Sequence, residues 1–429
     1  MRILKGFGLL TTIFVMLFTT AFADDAKIEE MQKQIQILTE EMEKLKLGAV
    51  AEPKYEGFMG LGPAASKVYS IGKGFSIGGY GEVVYQNYRH SSKKDLADAY
   101  RFVLYGGYKF NDWIIMNTEL EFEHAGFDAI DDKKSETYVE FSYLDFLLSK
   151  SFNVRTGLLL VPIGFINEYH EPTVYHGALR PEVETNIIPT TWRDIGVMAH
   201  GELGPVKYDA ALLNGLRADK FSQSTWIRGG RQQGSKVNAD AWALVARVNY
   251  ELIEGLRLGG TYYFGAADEK KGGEQDSSTH KEADVKLWEI HAQYQFKGLH
   301  LRGLYASGSL DGNSALESTS GLGKDVEGWY VETAYDIMPH IKPTSNMSLT
   351  PFVRYEEYDT NKEIFTGSKN PIYDRNVITA GLGFKPHPNV VVKADYQWKD
   401  TASSLQEGKG TNLDENKIDQ FNIGMGFIF

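Results

Sequence analysis

The sequence predicts an all-β protein, a 16-stranded antiparallel transmembrane β-barrel preceded by a short N-terminal periplasmic coiled-coil helix. Three observations predict it. From residue 74 onward apolar and polar side chains alternate in one segment after another, the pattern of strands with one oily and one wet face. Every second connection between these segments is short and the others are long and polar, as in barrels that cross an outer membrane. The last segment sets Phe421, Ile423, Met425, Phe427 and Phe429 on one face, with Asp419, Asn422, Gly424 and Gly426 between them. Left at the edge of an open sheet, such a strand would present unpaired backbone groups, so it is expected to pair with the first strand and close a cylinder.

Composition agrees with that architecture. The 429 residues include 44 Gly, 24 Tyr, 23 Phe and 7 Trp, and no long apolar run follows the first two dozen residues. Membrane helices are therefore not expected, whereas alternating strands hide their apolar face from window averages. The chain has no Cys, which excludes disulfides and thiolate metal sites. Its formal charge is -12, and removal of the basic Arg2 and Lys5 takes it to -14. That balance argues against nucleic acid as a partner, which needs clustered Lys and Arg.

Residues 1–23 read as a signal peptide: Arg2 and Lys5 precede a mostly apolar Leu9 to Phe18, and Ala21-Phe22-Ala23 is a small-x-small cleavage site. Residues 24–47 change pattern. Ile28, Met31, Ile35, Leu38, Met42 and Leu45 are spaced three, four, three, four, three apart, the a and d positions of a coiled coil. So short a helix needs partners, and at about 1.5 Å per residue it would reach roughly 30 Å into the periplasm. Glu41 and Lys46 stand at g and the next e. Docking on its own barrel is the other reading of this stripe. Residues 48–73 read as a linker, and residues 74–429 as the barrel.

Strands are expected to begin near Phe75, Tyr100, Trp113, Glu136, Asn153, Asp194, Val206, Asp240, Leu256, Val285, Leu299, Val326, Met347, Arg375, Val390 and Lys417. Tight turns fall at Asn111-Asp112, Gly204-Pro205, Glu254-Gly255, Lys297-Gly298 and Pro386 to Asn389. Arg217 to Lys236, Asp268 to Lys281, Ser307 to Asp325 and Thr401 to Asn416 read as long outward loops, so both termini fall on the periplasmic side. Trp242, Tyr250, Trp288, Tyr294, Phe296, Trp329, Tyr335, Tyr396 and Trp398 sit near strand ends on the apolar face, where interfacial girdles require aromatics.

The same parity points other side chains inward. With Ile114, Met116, Leu120 and Phe122 facing lipid, Glu119, Glu121 and Glu123 face the lumen; a charge against lipid near the midplane would cost roughly 2 to 4 kcal/mol. Arg101, Lys109, Lys207, Asp209, Arg247, Arg257, Glu289, Arg302, Glu332, Arg354, Glu356, Lys393 and Asp395 follow. Pro162 to Trp192 is a connection rich in Ile, Val, Tyr and Pro that carries Glu168, Glu171, Glu182 and Glu184 against Arg180. Those apolar residues suit a loop folded into the barrel as a constriction, where its acids opposite wall arginines would filter solutes by charge. An ordinary surface cap is the alternative.

Tyr138-Val139-Glu140-Phe141, Val154-Arg155-Thr156-Gly157, Pro162-Ile163-Gly164-Phe165 and Arg193-Asp194-Ile195-Gly196-Val197 resemble the core of the phosphate-selective porin O and P family. Asn214-Gly215, Ala246-Arg247 and Thr350 to Glu356 are similar to its later strands. The resemblance implies a trimeric sixteen-stranded channel whose basic side chains, among them Arg155, Arg193, Arg247, Arg354 and Lys393, handle anions such as phosphate. Where the family reads Gly-Gln-Phe-Lys, however, Gly157 is followed by Leu158, Leu159, Leu160 and Val161. A terminal aromatic after an alternating strand also resembles the signal read by outer-membrane insertion machinery.

The expected function is an outer-membrane porin for passive diffusion of small hydrophilic or ionic solutes, with outer-membrane lipid and two further copies of itself as partners. Ile at a with Leu at d favours two strands rather than three; the barrel contacts are expected to outweigh so short a helix. No cofactor or metal is implied. Glu119, Glu121, Glu123 and the loop acids lead to an expected weak cation preference. A structural or adhesive barrel is the alternative, and it predicts a lumen filled by apolar side chains. An enzyme in the barrel wall is a further one: His124, His170, His200, His291 and His300 share no recognisable Ser motif, no His-Glu-x-x-His sequence offers zinc, and Tyr169-His170-Glu171 alone is a weak signal.

Overall fold

The computed structural model describes residues 33–34, 57, 60–89, 93–125, 135–268, 280–402 and 419–429. The chain divides into two units, Met1–Glu52 and Pro53–Phe429. In the first, Lys33 and Gln34 are helical and exposed; the signal segment and the rest of the coiled-coil stripe lie outside the described residues.

In the second, sixteen strands run in order: β1 Gly74–Arg89, β2 Leu96–Lys109, β3 Ile114–Glu123, β4 Glu136–Phe146, β5 Asn153–Leu160, β6 Arg193–Leu203, β7 Val206–Asn214 and β8 Trp242–Tyr250. Then follow β9 Leu256–Asp268, β10 Glu282–Phe296, β11 Leu299–Gly312, β12 Gly323–Tyr335, β13 Ser348–Ile364, β14 Asp374–His387, β15 Val390–Thr401 and β16 Asp419–Ile428. Each pairs antiparallel with its sequence neighbours, and β16 pairs with β1, so the sheet is a closed barrel. At the seam Tyr80 faces Ile428 and Tyr85 faces Ile423. Beyond the last strand residue, Gly79 N donates to Phe429 O at 3.0 Å and Phe429 N to Gly79 O at 2.9 Å. The short connections require tight backbone: Gly255 has φ +77°, and a Cβ there would lie 1.9 Å from the Gln295 carbonyl oxygen.

Alternation sorts the two faces. Ile77, Val248, Ile290, Val331, Val353 and Val392 are exposed on the outside. Trp242, Tyr250, Phe296, Tyr335 and Trp398 are exposed at or near strand ends, whereas Trp288 is exposed in the middle of β10; Tyr294, Trp329 and Tyr396 are half-buried, Trp329 in the middle of β12. Inside the barrel the loop and the wall share a buried cluster. Ile163, Ile166, Val183, Ile187, Ile188 and Trp192 of the β5–β6 connection are buried with Tyr80, Tyr105, Phe141, Tyr143 and Tyr330 of the wall in one cluster. Residues 60–70, read from sequence as linker, join it: Leu61, Ala64, Ala65 and Val68 are buried, and α1 (Lys67–Ser70) brings Val68 against Gly107, where a Cβ would come within 2.5 Å of it.

A folded-in loop as the candidate functional site

The 162–192 connection lies inside the barrel because its own backbone is tied there. Asn167 Nδ2 donates to Val161 O at 2.7 Å and Trp192 O at 2.9 Å, and its Oδ1 accepts from Trp192 N at 2.6 Å, closing the loop's neck. Glu184, on the single turn α2 (Val183–Asn186), accepts from Phe165 N and Ile166 N, both at 2.8 Å, and from Tyr330 Oη of β12 at 2.6 Å. Asn167 and Glu184 are tolerated there because both polar ends of each side chain are paired.

From that neck the loop reaches walls on several sides. Glu168 forms an ion pair with Arg247 of β8, which also holds Asp209 of β7 at 2.7 Å. His170 Nε2 lies 3.4 Å from Glu119 of β3. Glu171 Oε1 accepts from Ala64 N at 2.9 Å and Ala65 N at 3.1 Å. Tyr175 Oη donates to Glu82 of β1 at 2.6 Å, and its ring lies 3.7 Å under Lys393 Nζ of β15. Lys393 also donates to Gly177 O at 2.9 Å, and Lys385 of β14 to Thr173 O at 2.8 Å. Glu182 is bound by Lys399 of β15 and by Tyr358 Oη of β13 at 2.7 Å. Val183 N donates to Glu356 of β13 at 3.1 Å, and Glu356 in turn holds Arg354 at 2.7 Å.

Among the predicted wall residues, Glu119, Glu121, Arg155, Arg193, Arg247, Arg354 and Lys393 are buried on the inner face and Glu123 is half-buried. Arg354 is shared by Glu332 at 3.1 Å and Glu356. Arg155 pairs with Asp145 at 2.9 Å, and Arg101 with Glu121 at 2.9 Å and Glu123 at 3.0 Å. Of the loop charges, Glu168, Glu171 and Glu184 are buried, whereas Arg180 and Glu182 are half-buried. Burial pushes the Glu171 carboxyl up to about 7 despite its two N–H donors. Burial would raise Glu182 too, but the Lys399 ammonium overrides it and holds that carboxyl at about 2.

Sequence reasoning missed a second inward connection, between β7 and β8. Arg228 donates to Thr185 O at 3.1 Å and to Thr190 O; Arg231 donates to Thr191 O at 2.7 Å and Pro189 O at 3.2 Å. Trp226 is buried and donates its indole N–H to Gly323 O at 3.2 Å. The signal for it was the apolar pair Trp226-Ile227 within a Gly- and Ser-rich stretch.

A protein of Aquifex aeolicus (strain VF5), described as uncharacterized, is 34% identical over 371 residues, 83% of each chain. The two chains belong to one family. No family model matches the sequence. Three solved structures share the barrel. Salmonella typhi OmpF, in complex with daunomycin, has a TM-score of 0.52 and 12% identity over 83% of this chain and 98% of that one. The outer-membrane channel DcaP of Acinetobacter baumannii has a TM-score of 0.52 and 13% identity, covering 83% and 97%. Vibrio cholerae OmpT, in vitro folded and in trimer form, has a TM-score of 0.51 and 13% identity, covering 83% and 99%. At such identities the likeness concerns the fold alone, a closed β-barrel.

Proposed function

We propose that this protein is an outer-membrane porin for passive diffusion of small hydrophilic or ionic solutes, working as a homotrimer, with the 162–192 loop as its constriction. The observation that carries this reading is a loop tethered by side chains from β1, β8, β13, β14 and β15 across the inside of a closed barrel. A barrel with an apolar exterior and a charged interior suits a membrane, because lipid cannot satisfy inward-type charges. The likeness to a channel and to a trimer supports the same reading.

Selectivity follows from which charges water reaches. Glu119, Glu121, Glu168, Glu171 and Glu184 are sealed, while Arg180, Arg228, Arg231 and Arg302 beside the loop are half-buried. Half-buried acids nearby are Glu123 and Glu182, each already paired with a base. The accessible balance is basic, so the channel prefers anions, inorganic phosphate among them, rather than the cations expected from the acid-rich sequence.

A second reading is favoured by one observation. Six apolar loop side chains, Ile163, Ile166, Val183, Ile187, Ile188 and Trp192, are buried at the centre of the lumen, as a structural or adhesive barrel would require. Planar-bilayer recording separates the two. Steady ohmic steps with an anion-sided reversal potential in a salt gradient support the porin; silence under all voltages supports the closed barrel.

A further inference from the structure

We propose that Glu119, Glu140 and His170 form a binding site for one divalent transition-metal cation, Zn2+ being the simplest, which fastens the lumen loop to β3 and β4. The ligand atoms of these three residues, all buried, lie within 4.8 Å of one another. Each comes from a different part of the fold: β3, β4 and the loop.

Two features of the backbone put them there. Strand β4 carries a bulge opposite Glu119: Glu119 faces Phe141, yet Leu120 faces Val139, so Glu140 has no partner residue across the ladder. The bulge breaks the alternation, and Glu140 and Phe141 are consecutive inward-facing residues. Bulges re-aim single side chains, and this one aims a carboxylate at Glu119. On the loop, His170 Nδ1 lies 3.0 Å from the Asn167 carbonyl oxygen. A carbonyl only accepts, so Nδ1 carries a proton; with Nε2 deprotonated, as a metal would require, its lone pair faces Glu119 Oε1 at 3.4 Å. That is the arrangement of a metal-ligating imidazole, whose other nitrogen donates to a backbone oxygen.

Two acceptors facing each other repel unless a positive charge lies between them. The surroundings supply too little. Arg101 is shared by Glu82, Glu121 and Glu123. Arg193 stands 3.7 Å from Glu140, with Glu121 and Thr191 also beside it. Arg228 and Arg231 also act on this cluster, yet all these guanidiniums are set against five carboxylates, of Glu82, Glu119, Glu121, Glu123 and Glu140. No hydrogen bond of good geometry satisfies either carboxylate oxygen of Glu140 or Oε2 of Glu119, and a buried carboxylate held by a guanidinium at 3.7 Å is only partly compensated. The separation of 3.4 Å between Nε2 and Oε1 matches the edge of a tetrahedron, about 3.4 Å for metal–ligand bonds of about 2.1 Å. One imidazole with two carboxylates suits Zn2+, Mn2+ or Co2+ better than Ca2+ or Mg2+, which prefer all-oxygen sites.

The test uses the full barrel refolded in detergent and stripped with chelator. Co2+ as probe is expected to bind one per chain with a visible tetrahedral spectrum, and Zn2+ to displace it. In Glu140→Gln and His170→Gln, each first shown to keep the heat-modifiable migration of a folded barrel, affinity falls by at least roughly 100-fold, the upper end of second-ligand-layer losses. Glu254→Gln, in the exposed turn between β8 and β9, binds Co2+ normally. Absence of stoichiometric binding by the wild-type chain overturns the proposal and leaves His170 as an imidazolium paired with Glu119. Equal binding by wild type and by these two variants overturns it also. Neither result bears on conductance, so the porin reading stands or falls separately.

Discussion

Arg247 joins parts of the chain distant in sequence, Glu168 of the loop and Asp209 of β7, in one buried cluster. Removing one member of such a cluster leaves uncompensated charge, so Arg247→Ala is expected to destabilise the barrel by about 3–5 kcal/mol. Urea unfolding in lipid vesicles measures this, and a loss within about 1 kcal/mol, typical of exposed pairs, would mean that water reaches Glu168. Glu182 gives a pH dependence of known sign. Its folded-state pKa of about 2 lies below the ordinary 4.5, so its contribution is complete above pH 4.5 and is lost as the pH falls through 2. Unfolding midpoints between pH 2 and 5 should decline for the wild type more than for Glu182→Gln; parallel curves would exclude the Lys399 pair as the cause. Residue identities of this kind were partly legible. Period two is strict, so Glu119 and Glu121 could be assigned to the inner face from their neighbours. Glu140 could not, because a one-residue bulge leaves no mark in composition and reverses the parity on one side of it.

Strands were the most legible elements, since each must satisfy alternation along its whole length. Starts expected at Glu136, Asn153, Val206, Leu256, Leu299 and Val390 coincide with those observed. Elsewhere the difference runs both ways: β2, β10 and β12 begin at Leu96, Glu282 and Gly323, ahead of Tyr100, Val285 and Val326, whereas β3, β8 and β13 begin at Ile114, Trp242 and Ser348, after Trp113, Asp240 and Met347. Apart from Leu96 the extra residues of β2, β10 and β12 are polar or small, and backbone pairing with a neighbouring strand continues without an apolar face to announce it. The turn α1 was not legible at all. Its four residues have no side-chain cap, and so short a helix holds only through contacts such as Val68 on Gly107 and Glu171 on Ala64 and Ala65. The outward face yields a test of the membrane itself. Ile290 lies mid-way along β10 and is 57% exposed, so Ile290→Arg should cost about 2–4 kcal/mol in a bilayer. Equal stability of the variant and wild type in vesicles would place that face in water.

For the whole molecule the closed sixteen-stranded cylinder was legible and its filling only partly so. Closure follows from local rules repeated sixteen times, whereas the positions of residues 60–70 and of Trp226 depend on contacts between segments that no local pattern encodes. If the loop is the constriction, deleting residues 170–180 should raise single-channel conductance roughly twofold or more. Unchanged conductance would move the narrowest point to the Trp226 connection. The β1–β16 seam has a consequence for assembly. Those partners stand at opposite ends of the barrel sequence, so zipping them together is the step with the greatest loop-closure penalty and is expected to come last. Once the hoop is shut, its wall bars lateral entry. The plug must therefore already be tucked in while the sheet is still an open trough, and variants that weaken its anchors should stall with the first and last staves apart.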